Sequence, residues 1–368
     1  MFVVSMTGGG GWLLVLLAAA SFFLPPRARD PDAAATPAGS VAALRSPLGR
    51  PARIGLVFDV GGRGDKSFND AAYEGLRAAR RTLGAHIEYV EPSDGDDRAS
   101  ALRLFAARGF DRVIAVGYVF SRDLDAVARD YPNVRFAGVD YAPPESGEAP
   151  PNVVGLIFRE EEGAYLVGAA AALHRPGAPV GFVGGMDIPL IRRFEAGYRA
   201  GVAAVCPDCR VVAAYAGSTP SAFKDPARGA ALATAQYAHG VQVIFHAAGS
   251  TGLGVFGAAQ RLGRFAIGVD ADQHDEAPAV VITSLRKRVD VVVLEEARDA
   301  AARRFQRGVG GLRSFGLAEG GVDWVHAGPH ARQLAPATVA RVEALRAAVV
   351  SGQVRVPRTV DAAPGATP

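Results

Sequence analysis

A chain of 368 residues is long enough for two domains with full hydrophobic cores. Its content of 49% hydrophobic and 21% charged residues excludes wholesale disorder. Forty Lys and Arg against 37 Asp and Glu leave a net charge of +3. The basic residues are interspersed with acids, and Arg77–Arg81 and Arg303–Arg304 sit among apolar neighbours, as on a solvated helix face rather than a nucleic-acid surface.

In chain order, Trp12–Leu24 is an apolar run of 13 residues, short for a membrane span but the length of a signal-peptide core. A Pro/Ala/Gly-rich stretch to Pro51 follows. Residues 1–50 therefore read as an export leader and linker, which places the mature chain in the periplasm or otherwise outside the cytoplasm. Met1–Gly11 carries no Lys or Arg, so an uncleaved N-terminal anchor is the alternative. No cysteine lies near the leader, which argues against a lipoprotein.

From Arg53 onward, short β-rich runs alternate with longer helical ones, the pattern of parallel sheets with crossover helices. Strands are predicted at 54–59, 86–90, 113–116, 135–139 and 153–158, with helices at 68–83, 99–108 and 123–130 between them. The pattern resumes with helices at 160–174, 191–205, 227–239 and 253–262, and strands at 180–183, 211–215, 243–247 and 265–269. A strand at 280–285 and a helix at 289–307 read as a return to the first half. Trp324-Val325 and a helix at 338–350 complete the second.

The two halves match in detail. Gly55 lies 13 residues before Phe68, as Gly181 does before Phe194. Val113-Ile114 recurs as Val243-Ile244, and Gly138-Val139-Asp140 as Gly268-Val269-Asp270; the offsets are 126, 130 and 130. Ordered matches at nearly one offset indicate duplication. The expected fold is α/β: two doubly wound, Rossmann-like lobes joined by a hinge, with ligand-facing loops at the carboxyl ends of the strands. Lobe one takes 51–158 plus about 286–312, lobe two 159–285 plus about 313–356, and 357–368 is a flexible tail.

The loop Asp59–Asn69 joins the first strand to the first helix. A phosphate-binding P-loop fails because Asp65 stands where the second Gly belongs, and the dinucleotide fingerprint fails at Ser67. Asp59 and Asp65 repel phosphate, so a neutral ligand with hydroxyl or amide-like groups suits the loop. Phe68 and Phe194 are either core anchors of their helices or a pair gripping a flat ring. Asp270, at a strand end, is placed to accept hydroxyls of a vicinal diol, and Lys287 to donate to the same sugar or pair with Asp270. The turn Gly249–Gly254 offers backbone N–H donors or caps a helix. Asp123 faces a ligand or serves as the acid of a helix N-terminus.

No catalytic residues, cofactor or metal site emerge: the nucleophile-elbow pattern Gly-x-Ser-x-Gly is absent, and no activated water with its base is evident. A regulator built on the same core needs a DNA-binding helix-turn-helix in front, and the first 50 residues hold none. The two cysteines, Cys206 and Cys209, are too few for a closed zinc site. Outside the cytoplasm they are expected as a local disulfide, a redox dithiol being the alternative.

The segments IGLVFDVGGRGDKSFNDAAYEGLRAA, VVGLIFREEEGAYLVGAAAAL, VGFVGGMDIPLIRRFEAGYRAGV, VIFHAAGSTGLGVF, IGVDADQ and VITSLRKRVDVVV together resemble the basic membrane protein family of bacterial solute-binding proteins. Its best-known members are purine-nucleoside receptors of import systems. The resemblance spans about 52–355 and implies a periplasmic-binding-protein type I fold with a nucleoside between the lobes. It implies that Asp59 and Asn69 line the cleft, Phe68 and Phe194 sandwich the base, Asp270 and Lys287 hold the ribose, and Gly252 adds a backbone contact, with Asp123 a looser match. It further implies a monomeric, non-enzymatic receptor serving the membrane permease of an ABC importer. Riboflavin or another flat solute is the alternative ligand, and sensing without transport the alternative role.

Overall fold

The computed structural model describes residues 49–92, 97–144 and 147–360. Within them, strands and helices alternate where the sequence switches between short β-branched runs and helical periodicity. The first half holds β1 (Arg53–Val57), α1 (Phe68–Leu83), β2 (His86–Val90), α2 (Arg98–Ala107), β3 (Arg112–Val116), α3 (Ser121–Asp130), β4 (Phe136–Val139) and β5 (Val153–Phe158). The second holds α4 (Glu160–His174), β6 (Val180–Met186), α5 (Pro189–Val205), β7 (Val211–Gly217), α6 (Pro226–Ala238), β8 (Val243–Ala247), α7 (Gly252–Leu262), β9 (Phe265–Gly268) and β10 (Val281–Lys287). After it come α8 (Val289–Ala301), β11 (Leu312–Phe315), β12 (Val322–Trp324) and α9 (Pro336–Val350).

The strands form two sheets of six, ordered β11-β5-β4-β3-β1-β2 and β12-β10-β9-β8-β6-β7. The first is parallel throughout. In the second, β12 alone runs antiparallel, beside β10. The chain thus leaves the first sheet after β5, returns after β10 through α8, which packs on α1, and leaves again after β11. Both faces of each sheet are covered by buried apolar side chains, which is why these strands read as continuous apolar runs.

Three differences from the sequence reading concern the bounds of elements and lobes. The last crossing comes after Phe315 and not near 312, because β11 pairs with β5; its Leu-Arg-Ser-Phe, half-buried at Leu312 and Arg313 and buried at Phe315, lacks the continuous apolar run of a central strand. Helix α8 stops at Ala301 and not Arg307, its end marked by Arg303 at φ 55°, a left-handed conformation that ends a helix. Arg358, in the expected tail, pairs with Glu161 at 2.9 Å. The leader to Leu48 and residues 361–368 lie outside the described residues. Cys206 and Cys209, just past α5, are bonded to each other.

Candidate ligand-binding site

The site grows from four strand ends and two helix starts. Beyond β1, Asp59 accepts from the Val60 backbone N–H at 2.6 Å, and its own N–H donates to Asn69 Oδ1 at 3.0 Å. Gly117, at φ 106°, leaves room for this side chain: a Cβ there would fall 2.1 Å from Asp59 Oδ2. Asp65 caps α1, accepting from the backbone N–H groups of Ser67, Asn69 and Asp70 and from Asn69 Nδ2 at 2.8–3.1 Å. That satisfies donors which a helix start leaves unpaired.

Asp140 follows β4 and Asp270 follows β9, the two copies of the Gly-Val-Asp repeat. Both adopt the left-handed region, at φ 57° and 65°, a strained choice for residues other than glycine. Lys287, at the end of β10, places Nζ 2.6 Å from Asp140 Oδ2 and 3.2 Å from Glu160 Oε1. The same ammonium lies 5.1, 4.9 and 5.7 Å from the ring centres of Phe68, Phe158 and Phe194, within cation–π range. Asp270 Oδ2 accepts from Ser67 Oγ, which comes from the first-sheet side.

Burial governs the charges. It raises Asp59 to about 7, against the pull of the Val60 N–H. It raises Asp270 to about 6, opposed by Lys287 and Ser67, and Glu160 to about 7, opposed by Lys287 and Arg193. Burial also acts to lower Lys287, but Asp140, Glu160 and Asp270 together carry it above its ordinary value. The result is a cation held among carboxylates, with further carboxyls close to neutral pH.

Between these groups lies a cavity of about 70 Å³, lined by Asp59, Asp65, Phe68, Asn69, Tyr118 and Asp140 from the first-sheet side and by Ile191, Phe194, Phe223, Gly249, Asp270 and Lys287 from the second. Small-molecule sites start at roughly 300 Å³, so a solute of that class enters only if the walls move. A polar-walled space of about 360 Å³ adjoins it through Asp59 and Val60 and reaches Glu91, Arg98 and Lys224.

A family model described as ABC transporter substrate-binding protein PnrA-like, named Bmp, matches residues 53–359. The chain belongs to the Bmp family. A crystal structure of an ABC-transporter solute-binding protein from Aeropyrum pernix superimposes with a TM-score of 0.75 at 31% identity, covering 84% of this chain and 94% of that one. The ABC transporter nucleoside-binding protein BmpA of Lactococcus lactis is 31% identical over 74% of this chain and 80% of its own length. An uncharacterised lipoprotein of Pyrococcus furiosus is 34% identical over 75% of this chain and 70% of its own.

Among the residues singled out in this Bmp-family sequence, Asp59, Phe68, Asn69, Phe194, Asp270 and Lys287 all line the one cavity. Lys287 takes Asp140 and Glu160 as its close partners, where the sequence reading had it either donating to the sugar or pairing with Asp270. Two of the expected residues lie elsewhere. Asp123 sits in the first turn of α3 with its carboxylate 3.1 Å from Arg98, acting as a helix-terminus acid. Gly252 starts α7 against buried His246, where a Cβ would fall 2.0 Å from the ring; the glycine that reaches the cavity from this turn is Gly249.

Other site residues went unread. Asp140 carried a signal, since it is the repeat partner of Asp270. Tyr118 and Phe223 carried none, being placed by short turns after β3 and β7. His326 and His330 stand four apart, a metal-like spacing, but the first stacks on Trp324 and the second bonds Asp272. Among the described residues, no group of three or more His, Cys, Asp or Glu is placed to hold a metal ion, and no helix is long and apolar enough to cross a membrane.

Proposed function

We propose that this chain is an extracytoplasmic, monomeric and non-catalytic receptor that closes around a nucleoside and delivers it to the permease of an ABC importer. The observation that carries the reading is the convergence of Phe68 and Phe194, from opposite sides, on the cavity that also holds Asp270 and Lys287. Two aromatic faces suit a flat base. A carboxylate and an ammonium beside them suit a sugar's hydroxyls, and Asp59 with Asn69 suits the polar edge of the base. The name of the Lactococcus relative points to the same ligand class.

In this reading each sheet with its helices is a lobe, and the three crossings between them are the hinge. The lobes part to admit the solute, since the cavity of about 70 Å³ is too small to receive it rigidly. Cys206 and Cys209 are held in the bond after α5, so neither is the site of a lipid. The segment before residue 49 would act as the export signal.

Calorimetry with adenosine, guanosine, inosine, uridine, their 2′-deoxy forms and riboflavin tests the assignment. Asp270→Ala removes a charged acceptor from a partly dry site and should cost about 2–4 kcal/mol, or roughly 30-fold to 1000-fold in affinity. It should also abolish discrimination between ribonucleosides and their deoxy forms. If riboflavin binds and no nucleoside binds better than millimolar, the receptor reading stands and the nucleoside assignment falls.

A further inference from the structure

Ser67 immediately precedes α1, where a serine ordinarily caps the helix, yet it makes no side-chain cap bond. Asp65 does the capping, which releases the Ser67 hydroxyl. Fully buried, that hydroxyl crosses the cleft and donates to Asp270 Oδ2. The neighbouring contact crosses too: Gln273 Nε2 donates to the Lys66 carbonyl at 2.8 Å.

Gln273 is held rigidly on the second-sheet side. Its Oε1 accepts from the Val269 N–H at 2.8 Å and from His246 Nε2 at 3.0 Å, and its own N–H donates to Ser284 Oγ. Lys66 and Asp270, which belong to the two segments joined by these contacts, both have left-handed backbones, at φ 57° and 65°. Asp270 Oδ1, by contrast, accepts no hydrogen bond among the described residues, and Asp270 lines the cavity. One oxygen is engaged by the opposite lobe, and the other is left for the contents of the cleft.

We propose that Ser67 is a specificity-determining residue that positions Asp270: lobe closure brings its hydroxyl onto Oδ2, fixes the plane of the carboxylate, and presents Oδ1 to a single solute hydroxyl. This rests on the reading of Asp270 as the acceptor of a sugar hydroxyl. A freely rotating carboxylate accepts hydroxyls in several geometries, whereas one held through Oδ2 accepts along a fixed direction. Ser67 thus ties the recognition of the hydroxyl to closure, because the carboxylate is oriented only when the lobes meet.

The test is calorimetry of wild type, Ser67→Ala and Ser67→Thr with adenosine, 2′-deoxyadenosine and 3′-deoxyadenosine. Ser67→Ala should weaken adenosine about tenfold, the equivalent of one hydrogen bond to a charged group. It should weaken one deoxy form, the one lacking the hydroxyl at Oδ1, much less, so that their ratio contracts. Ser67→Thr, which keeps the donor, should restore both. Equal weakening of all three nucleosides would mean that Ser67 is only a latch, and unchanged affinities that it has no role; either outcome overturns the proposal. A ¹³C NMR titration of the Asp270 carboxyl in the protein without added nucleoside gives an arm independent of ligand identity. Loss of the donor should move its midpoint upward, and an unmoved midpoint also overturns the proposal. Absence of nucleoside binding by wild type combined with a shifted midpoint would sink the nucleoside assignment while upholding the positioning of Asp270 by Ser67.

Discussion

The connection after β1 and its counterpart after β6 start equivalent helices but are built differently. The first runs ten residues, from Phe58 to Ser67, between strand and helix; the second is only Asp187-Ile188. The longer loop carries two buried or half-buried carboxylates, and Asp65 caps its helix by four hydrogen bonds. The shorter one starts α5 with Pro189, whose missing N–H costs nothing at a helix start, and contributes the apolar Leu190, Ile191 and Phe194 to the cavity. Duplication therefore kept the aromatic residue and its register while polarity moved to one side. The polar half suits the edge of a solute, and the apolar half its face.

The same divergence separates the two Gly-Val-Asp copies. Both aspartates share a left-handed backbone, but Asp140 is held by Lys287 and Asp270 by Ser67. Lys287→Met would break this comparison most severely. It leaves Asp140, Glu160 and Asp270 buried without their common cation, and should destabilise the fold by about 3–5 kcal/mol. Urea unfolding at pH 8 measures it; at pH 5, where Glu160 and Asp270 can take up protons, the loss should shrink.

The phenylalanines come next. Phe194 is buried and packs on Phe245 at 6.3 Å, whereas Phe68 is only half-buried. Phe194→Ala should cost about 3–5 kcal/mol of stability, as core phenylalanines do, together with binding. Phe68→Ala should lose mainly affinity, about 1–3 kcal/mol, for every base alike. Paired denaturation and calorimetry on the two variants separate the roles, and equal stability losses would erase the asymmetry.

Titration offers a gentler probe of the polar half. Asp59 has its folded pKa raised to about 7 by burial, so between the ordinary carboxylate range and pH 7 the folded state binds more protons than the unfolded. The contribution of Asp59 to stability is therefore full at low pH and lost as pH rises through 7. Relative to wild type, Asp59→Asn should gain on the order of 2 kcal/mol between pH 5 and pH 8. Comparing the two proteins cancels the opposite slope from His174 and His246, whose pKa values burial lowers to about 4. A difference that does not change with pH would show that Asp59 is ionised throughout.

The smallest effect is expected away from the cleft. Cys206 and Cys209 close a loop with two residues between them, so replacing both by Ser should cost less than the roughly 3 kcal/mol of a 15-residue loop. Solute affinity should stay unchanged in calorimetry.

Much of this arrangement was legible in the order of residues. Alternation of apolar strands with helical periodicity specified the α/β class, because parallel strands buried on both faces must be apolar along their whole length. Repetition of Gly55…Phe68 as Gly181…Phe194, and of Gly-Val-Asp, pointed to two related halves and to Phe68, Phe194 and Asp270, which line one cavity, since equivalent strand ends occupy equivalent places in a doubly wound sheet. Partners were another matter. That Lys287 would choose Asp140 and Glu160, and that Asp123 would turn to Arg98, depended on distances between segments 25 or more residues apart in the chain. Ser67 shows the limit most plainly: its position before α1 reads as a helix cap, and only the approach of the opposite strand end, 203 residues away, gives its hydroxyl a different acceptor. Local propensity is written in neighbouring residues, whereas the pairing of buried charges is decided by which strand ends the fold brings face to face.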